Sequence, residues 1–296
     1  MRKHKLILNP WAGRGAGGRI RATLLGHLAA HGLYADLDVT EGPRDAIRLA
    51  RRAADSHDVV VAVGGDGTVH EVVNGLAQAA NGGETAPLGV IPIGTGDDFA
   101  YMIGLARNGV EQAVTRLAQG TPRLVDLGRV NDEYFDNEVG VAFSGQANIE
   151  SRKISAPLGP LVYLIAVFRC LMGYPLPHLR IAWEGGSVER DILLASIANG
   201  QRTGGQFWIA PQADIEDGVF DLVFANAIGR LEILRLLPKV MKGTHIYEPP
   251  VSVVRSSWVT IDAPGGIPVH ADGELLYSHV KHLDFELLPK KLRVIV

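Results

Sequence analysis

The 296-residue chain has a single cysteine, Cys170. One thiol excludes an internal disulfide and any zinc site built on cysteines. Cys170 lies in an apolar run and reads as a buried core thiol rather than a nucleophile. An excess of positive charge is also missing: 29 Lys and Arg stand against 32 Asp and Glu, a formal net charge of −3. Without a basic stripe to follow a phosphate backbone, nucleic acid is excluded as a partner. The ten histidines show no metal-binding spacing. Long hydrophobic runs are absent. The longest, 161–174, is bounded by Pro160 and Pro175 and broken by Arg169, short of the ~20 residues a bilayer requires, so no transmembrane segment is expected. Behind the basic residues 2–5 the apolar run is only Leu6, Ile7 and Leu8. That is too short for a signal peptide, and the expected location is cytoplasmic. No GxxxxGK[ST] occurs, so nucleotide binding cannot rest on that motif.

What the chain does have is glycine, placed at the ends of short apolar runs. Residues 58–76 read DVVVAVGGDGTVHEVVNGL. Val59 to Val63 carry no polar alternation, the mark of a strand buried on both faces, as in parallel sheets. The run stops at Gly64 and Gly65. After Asp66 and Gly67, Thr68 and Glu71 have capping-box spacing, and Val72, Val73 and Leu76 repeat at helical spacing. Strand, glycine loop and helix in that order leave backbone N–H groups and a positive helix end aimed at one spot, a seat for phosphate. Residues 88–93 form a second short apolar strand, and Gly94-Thr95-Gly96-Asp97-Asp98-Phe99-Ala100 turns it into a helix. Adjacent strands ending in such loops place both at the carboxyl edge of the sheet, where α/β folds bind ligands. Either loop alone is also compatible with an ordinary tight turn.

GGDGT followed by P-x-GTG-x-DFA resembles the catalytic domain of the diacylglycerol kinase and sphingosine kinase family, bacterial lipid kinases included. GGDGT alone is shared with NAD kinases and 6-phosphofructokinases; the second motif narrows the match. The resemblance implies that ATP lies against Gly64, Gly65, Asp66, Gly67, Thr68, Val69 and His70, and against Gly94, Thr95 and Gly96. It also implies contacts from Asn9 and Arg14 in the loop after the first strand (5–9) and from Thr40 at the end of the second (34–40). Read without it, the first loop is a solvated turn and Thr40 a helix cap. Gly13, Gly15 and Gly18, with Asp38 beyond, fit the dinucleotide fingerprint G-x-G-x-x-G. Asn9, Pro10, Trp11 and Ala12 separate the first glycine from the strand's apolar run, however, where the fingerprint needs it in the turn itself.

Two acidic clusters lie further on. His270-Ala271-Asp272-Gly273-Glu274 is by itself a turn signal. By resemblance Glu274 is the base that takes the proton of the acceptor hydroxyl, and Asp272 orients it or helps to hold metal. Asp66 then works at the phosphates with Mg²⁺, although the roles of Asp66 and Glu274 are exchangeable across relatives. In 211–219, Asp214, Asp217 and the carbonyl of Val219 match a structural divalent site of bacterial members, for Mg²⁺ or Ca²⁺; a plain turn before a strand is the other reading. The family usually has Asn where this chain has Asp97, which adds a charge beside a triphosphate.

A βαβα alternation runs to about residue 125, and the pattern then becomes strands joined by Gly, Asp and Pro turns. The expected fold is a doubly wound α/β nucleotide-binding domain over 1–125, phosphofructokinase- or NAD-kinase-like. A mostly antiparallel β-sandwich domain for the lipid substrate is expected over 126–296, its last strand, 292–296, returning to the first domain. In the second domain strands are expected at 125–130, 133–143, 179–183, 192–197, 219–224, 251–261 and 283–287, and helices at 161–173 and 230–242. The 161–174 segment is most simply a core helix; in a lipid kinase it walls an acyl-chain groove, with Arg152, Lys153 and Arg169 near headgroups. The implied activity is an ATP-dependent lipid kinase acting on diacylglycerol or a similar lipid at the inner membrane face, its oligomeric state open to a homodimer. The alternatives are a GGDGT kinase for NAD or a sugar phosphate, a lipid-binding module that has lost turnover, and a nicotinamide dehydrogenase.

Overall fold

The computed structural model describes residues 2–154, 161–171 and 173–296. Pro160 and Met172 of the long apolar run lie outside the described residues. The chain divides into two compact units, one of residues 1–127 and 288–296, the other of residues 128–287.

In the first unit, β1 (His4–Leu8), β2 (Ala35–Val39), β3 (Val59–Gly64) and β4 (Leu88–Pro92) are all parallel, in the order β2-β1-β3-β4. The valine run of β3 is buried on both faces, paired with β1 on one side and β4 on the other. Helices α1 (Ala12–Ala30), α2 (Asp45–Ala53) and α3 (Asp66–Ala80) make the crossovers. They are followed by the short α4 (Asp98–Met102) and by α5 (Val110–Gln119). Strand order reverses between β1 and β3, so the loops at their carboxyl ends sit at a topological switch point, the favoured ligand position in open α/β sheets.

Two helix starts differ from the sequence reading. Gly13, Arg14 and Gly15 have φ of 56°, 58° and 82°, so regular helix in α1 begins after Gly15, ahead of the expected Arg19. The capping box at Thr68 does not form. Instead α3 begins at Asp66, and Thr68 Oγ1 accepts a bond from Asn9 Nδ2 at 3.0 Å. The Glu71 carboxylate reaches away from its own helix and accepts the amides of Arg44 (2.8 Å) and Ala46 (3.1 Å). It thereby caps α2, where the left-handed Arg44 (φ 65°) supplies no side-chain cap.

The second unit begins within β5 (Pro122–Val130). Its expected strand at 133–143 is split into β6 (Glu133–Phe135) and β7 (Glu138–Ala142), and its tail enters α6 (Phe143–Arg152), a helix the sequence reading did not contain. That segment lacks an apolar period, and Gly145 lies where a Cβ would meet Pro268 O at 2.3 Å. Next come α7 (Leu161–Leu171), β8 (His178–Trp183), β9 (Gly186–Ala198), β10 (Phe220–Asn226), α8 (Arg230–Met241) and β11 (Val251–Ser256). Two long strands close the chain, β12 (Trp258–Ala271) and β13 (Glu274–Ile295).

Strands β5 to β12 of this unit pair antiparallel, and β9 and β12 each serve two layers. The first halves of both pair with β8, their second halves with β7, as in sandwiches whose strands switch sheets. Phe135 stacks on Phe220 at 5.5 Å and meets Phe285 edge-on at 6.5 Å in the core between the layers. The expected fold class, doubly wound α/β followed by an antiparallel sandwich, is the one observed. Strand β13 runs on from the second unit into the first, where Val294 pairs parallel with Leu88.

Because Glu71 supplies both acceptors at the start of α2, Glu71→Ala should lower stability by about 1–2 kcal/mol, the usual cost of a lost cap. Chemical denaturation measures this, and an unchanged midpoint would refute the capping role.

Candidate active site

The loops after β3 and β4 in the first unit touch. A Cβ on Gly65 would lie 2.9 Å from Gly94 Cα, and one on Gly94 would lie 2.5 Å from Gly65 Cα. Only glycine permits that approach. The amide of Ile93 donates to Gly64 O at 2.9 Å. The Asp66 carboxylate then crosses between the loops: its Oδ2 accepts the Asp97 amide at 2.8 Å and its Oδ1 accepts the Asp98 amide at 2.6 Å. Asp97 has φ 51°, a left-handed conformation that Asn and Asp tolerate best after glycine, and its Oδ1 accepts the Gly94 amide at 2.9 Å.

The other nucleotide candidates divide into those gathered at this edge and those turned inward. Asn9 follows β1, bonds Val63 O through its amide, and ties to Thr68 through its side chain. Thr40 is buried at the end of β2, its amide bonded to Leu8 O. Gly67 and Gly96 are part-buried, and Thr95 and Arg14 are exposed. Val69 and His70 are buried on the inner side of α3, where His70 O accepts Asn74 Nδ2. Asp38 pairs with Lys5 across β1 and β2 at 2.7 Å.

In the second unit, Asp272 and Gly273 form the two-residue turn between β12 and β13. Their φ values of 49° and 82° are the left-handed pair a tight hairpin of this kind requires. The Asp272 side chain is buried and turned into the fold. It accepts the amides of Asp136 (3.2 Å), Asn137 (3.0 Å) and Glu138 (3.0 Å) at the bend between β6 and β7. Glu274 is half exposed and paired with Arg152 of α6 at 2.7 Å. Arg152 also donates to Gly273 O, and Asn148 donates to the same carbonyl at 2.7 Å. Asn148 and Arg152, one helical turn apart, are the site residues that sequence reasoning missed in this role. Lys153 pairs with Glu150 instead.

At the candidate cation loop, Asp214 accepts the Glu216 amide, and Asp217 accepts the Val219 amide and pairs with Arg255. Burial pushes the neighbouring Asp221 carboxyl up to about 6, against the pull of Arg255 and with a further push from Asp217. Among the described residues no three His, Cys, Asp or Glu side chains converge as a metal cage. Cys170 is buried on α7, its thiol pushed up to about 11 by burial, as a core thiol should be.

An apolar pocket of about 100 Å³ opens between α7, α8 and the sheet of the second unit. Its walls include Phe143, Val167, Leu194, Ala225 and Leu237. Thus α7 is a core helix through Val167 and Cys170 while Phe168 and Arg169 face outward.

Asp272→Ala should cost about 3–5 kcal/mol, because it strands three buried N–H donors that a charged acceptor now satisfies. Asp272→Asn, which keeps one acceptor oxygen, should lose less. Urea titration of both variants reads the difference, and equal losses would refute this account.

Residues 3–130 match the family model described as the diacylglycerol kinase catalytic domain. Residues 137–296 match the YegS C-terminal NAD kinase beta sandwich-like domain. A diacylglycerol kinase of Mycobacterium tuberculosis is 32% identical, with 93% of this chain and 91% of the relative covered. One of Bacillus subtilis is 29% identical over 93% and 90%. A crystal structure of a Bacillus anthracis protein superposes with a TM-score of 0.81 at 25% identity, covering 99% and 96% of the two chains. Both halves match in chain order, and the chain belongs to the diacylglycerol kinase family.

Proposed function

We propose that this chain is an ATP-dependent lipid kinase that transfers the γ-phosphoryl group to a hydroxyl of diacylglycerol or a related lipid. The observation that carries the reading is the pair of glycine loops after β3 and β4, held together by Asp66 beside the β1/β3 switch point. Phosphoryl transfer asks the protein mainly for positioning and charge stabilisation. Backbone amides of 65–67, 95 and 96, with Asn9, Arg14 and Thr40 around them, hold the triphosphate at the amino ends of α3 and α4, where helix dipoles favour anions. Both Asp66 oxygens accept main-chain bonds, so Asp66 shapes this seat. A carboxylate retains further lone pairs after two such bonds, which suits Mg²⁺ at the phosphates. The metal, when bound, neutralises charge on the β- and γ-oxygens.

Glu274 is the proton acceptor. The acceptor oxygen bonds to phosphorus, its proton passes to the Glu274 carboxylate, the bond to the β-phosphate oxygen breaks, and ADP leaves. Arg152 positions that carboxylate and Asp272 fixes the hairpin beneath it. Unit two takes the lipid, its apolar pocket receiving chain carbons. No helix among the described residues is long and apolar enough to cross a membrane. The reading is therefore a cytoplasmic enzyme that meets its lipid at the inner membrane face. Asp214, Asp217 and the Val219 carbonyl hold a structural Mg²⁺ or Ca²⁺.

The test is incubation with γ-labelled ATP, Mg²⁺ and diacylglycerol, sphingosine, ceramide, phosphatidylglycerol, NAD or fructose 6-phosphate. Label is expected in a lipid; label only in NAD or the sugar would retire the lipid reading. Glu274→Gln should lower kcat by about 10²–10⁴ without changing the KM for ATP, the range for a general base. Near-normal turnover would remove Glu274 from that role. Mg²⁺ or Ca²⁺ should raise the Tm of the wild-type chain and leave that of Asp214→Ala unmoved. A shift of equal size in both would place the ion elsewhere.

A further inference from the structure

One face of the second unit's sheet carries polar groups that the phosphoryl-transfer account leaves unused. Residues 139 and 141 of β7 point into the core, so Glu138 and Gly140 face the other way, toward α7 and α8. Glu138 is 1% exposed and lines the apolar pocket. Its Oε2 accepts the Ser196 hydroxyl, whereas Oε1 makes no hydrogen bond. His270 Nε2 stands 3.8 Å from Oε1 but is bonded to Ser144 Oγ at 2.8 Å. The missing side chain at Gly140 makes this possible, since a Cβ there would meet His270 Nε2 at 2.3 Å.

A second unpaired acceptor lines the same pocket. His245 is 3% exposed, and its Nε2 is 3.1 Å from Ile209 O, so that nitrogen carries the proton. Burial lowers its pKa and keeps the ring neutral, leaving Nδ1 as an acceptor with no bond of its own. Burying a carboxylate with an oxygen unpaired is unfavourable unless something pairs it. A pocket whose unsatisfied atoms are acceptors and whose walls are aliphatic fits a ligand that brings both an N–H or O–H donor and a hydrocarbon chain.

We infer that Glu138 is a specificity-determining residue, its Oε1 accepting a hydrogen bond from a hydroxyl or ammonium group on the chain-bearing acceptor other than the hydroxyl that is phosphorylated, so that acceptors with a second donor are preferred. This rests on the lipid-kinase reading for its link to turnover. Structurally, the Glu138 amide is bonded to Asp272, so a lipid held at Oε1 is held on the strand that anchors the Asp-Gly-Glu hairpin. Ser196 fixes the carboxylate and is a positioning residue.

The experiment titrates the full chain with 1-dodecanol, dodecylamine and 1-methoxydodecane, each below its aggregation limit, with binding read by calorimetry. The alcohol and the amine should bind about tenfold or more tighter than the ether, which brings no hydrogen-bond donor. Glu138→Gln should reduce the amine's affinity most. In the kinase assay it should raise the KM for the lipid, with kcat and the KM for ATP little changed. A purely structural role would not produce that split. Equal binding of alcohol and ether by the wild-type chain overturns the inference, even where lipids are labelled. Discrimination that persists where no lipid is labelled upholds it and retires the kinase reading instead. Should Glu138→Gln fail to fold, the wild-type comparison alone decides.

Discussion

Two hydrogen bonds from successive amides, those of Asp97 and Asp98, to one carboxylate hold the first unit's ligand edge in shape. Charge-assisted bonds of this kind are about twice as strong as neutral ones. Here they reinforce loops that meet at Gly65 and Gly94, which have no side chains to pack, and through the Ile93–Gly64 main-chain bond. The consequence is geometric. With the loops after β3 and β4 locked together, the amino ends of α3 and α4 open at one place. The Asn9–Thr68 bond then draws the loop after β1 to the same edge. The phosphate seat proposed for this edge needs fixed amides more than it needs charged side chains, and the acid serves the amides.

The second unit repeats the device with a different chain segment. Asp272 gathers three successive amides at the bend between β6 and β7, and its left-handed backbone sets the hairpin that presents Glu274. Of the three acids that the motifs single out, two are therefore occupied by main chain and one, Glu274, stands half exposed against an arginine. The chemistry divides accordingly. An acceptor already committed to two or three N–H bonds suits a scaffold, and the proposed proton acceptor, Glu274, is the carboxylate held only by a side chain.

Much of this was legible from residue order. The all-apolar β3, the glycines that end it, and the change from βα alternation to turn-punctuated strands are local patterns, and the fold follows them. What was not legible depends on partners distant in the chain. Thr68 and Glu71 have capping-box spacing, yet tertiary contacts with Asn9, Arg44 and Ala46 outcompete the local bonds. The helix α6 escaped notice because its stability comes from packing on β12 through Gly145 rather than from an apolar stripe. With it went the assignment of Asn148 and Arg152 to the Asp-Gly-Glu hairpin. Glu138 could have been noticed as the one acid opening an otherwise apolar strand, although nothing local showed that its carboxylate would be buried.

Asp97 is the position where motif and structure pull in different directions. An amide is usual there in the family, and an acid beside a triphosphate adds repulsion. The bond that the position actually makes is from the Gly94 amide to Oδ1, and a carboxylate oxygen accepts it as well as an amide oxygen does. The left-handed backbone suits either residue. The acid's extra charge also lies in the loop that leads into α4, with Asp98 in that helix's first turn and Asp66 in the first turn of α3. Helix amino ends favour anions on each count. The substitution therefore leaves the loop's architecture in place and moves the question to charge. On the proposed function, a phosphate seated here would lie beside the carboxylates of Asp66 and Asp97, so the nucleotide would have to arrive with its own cation.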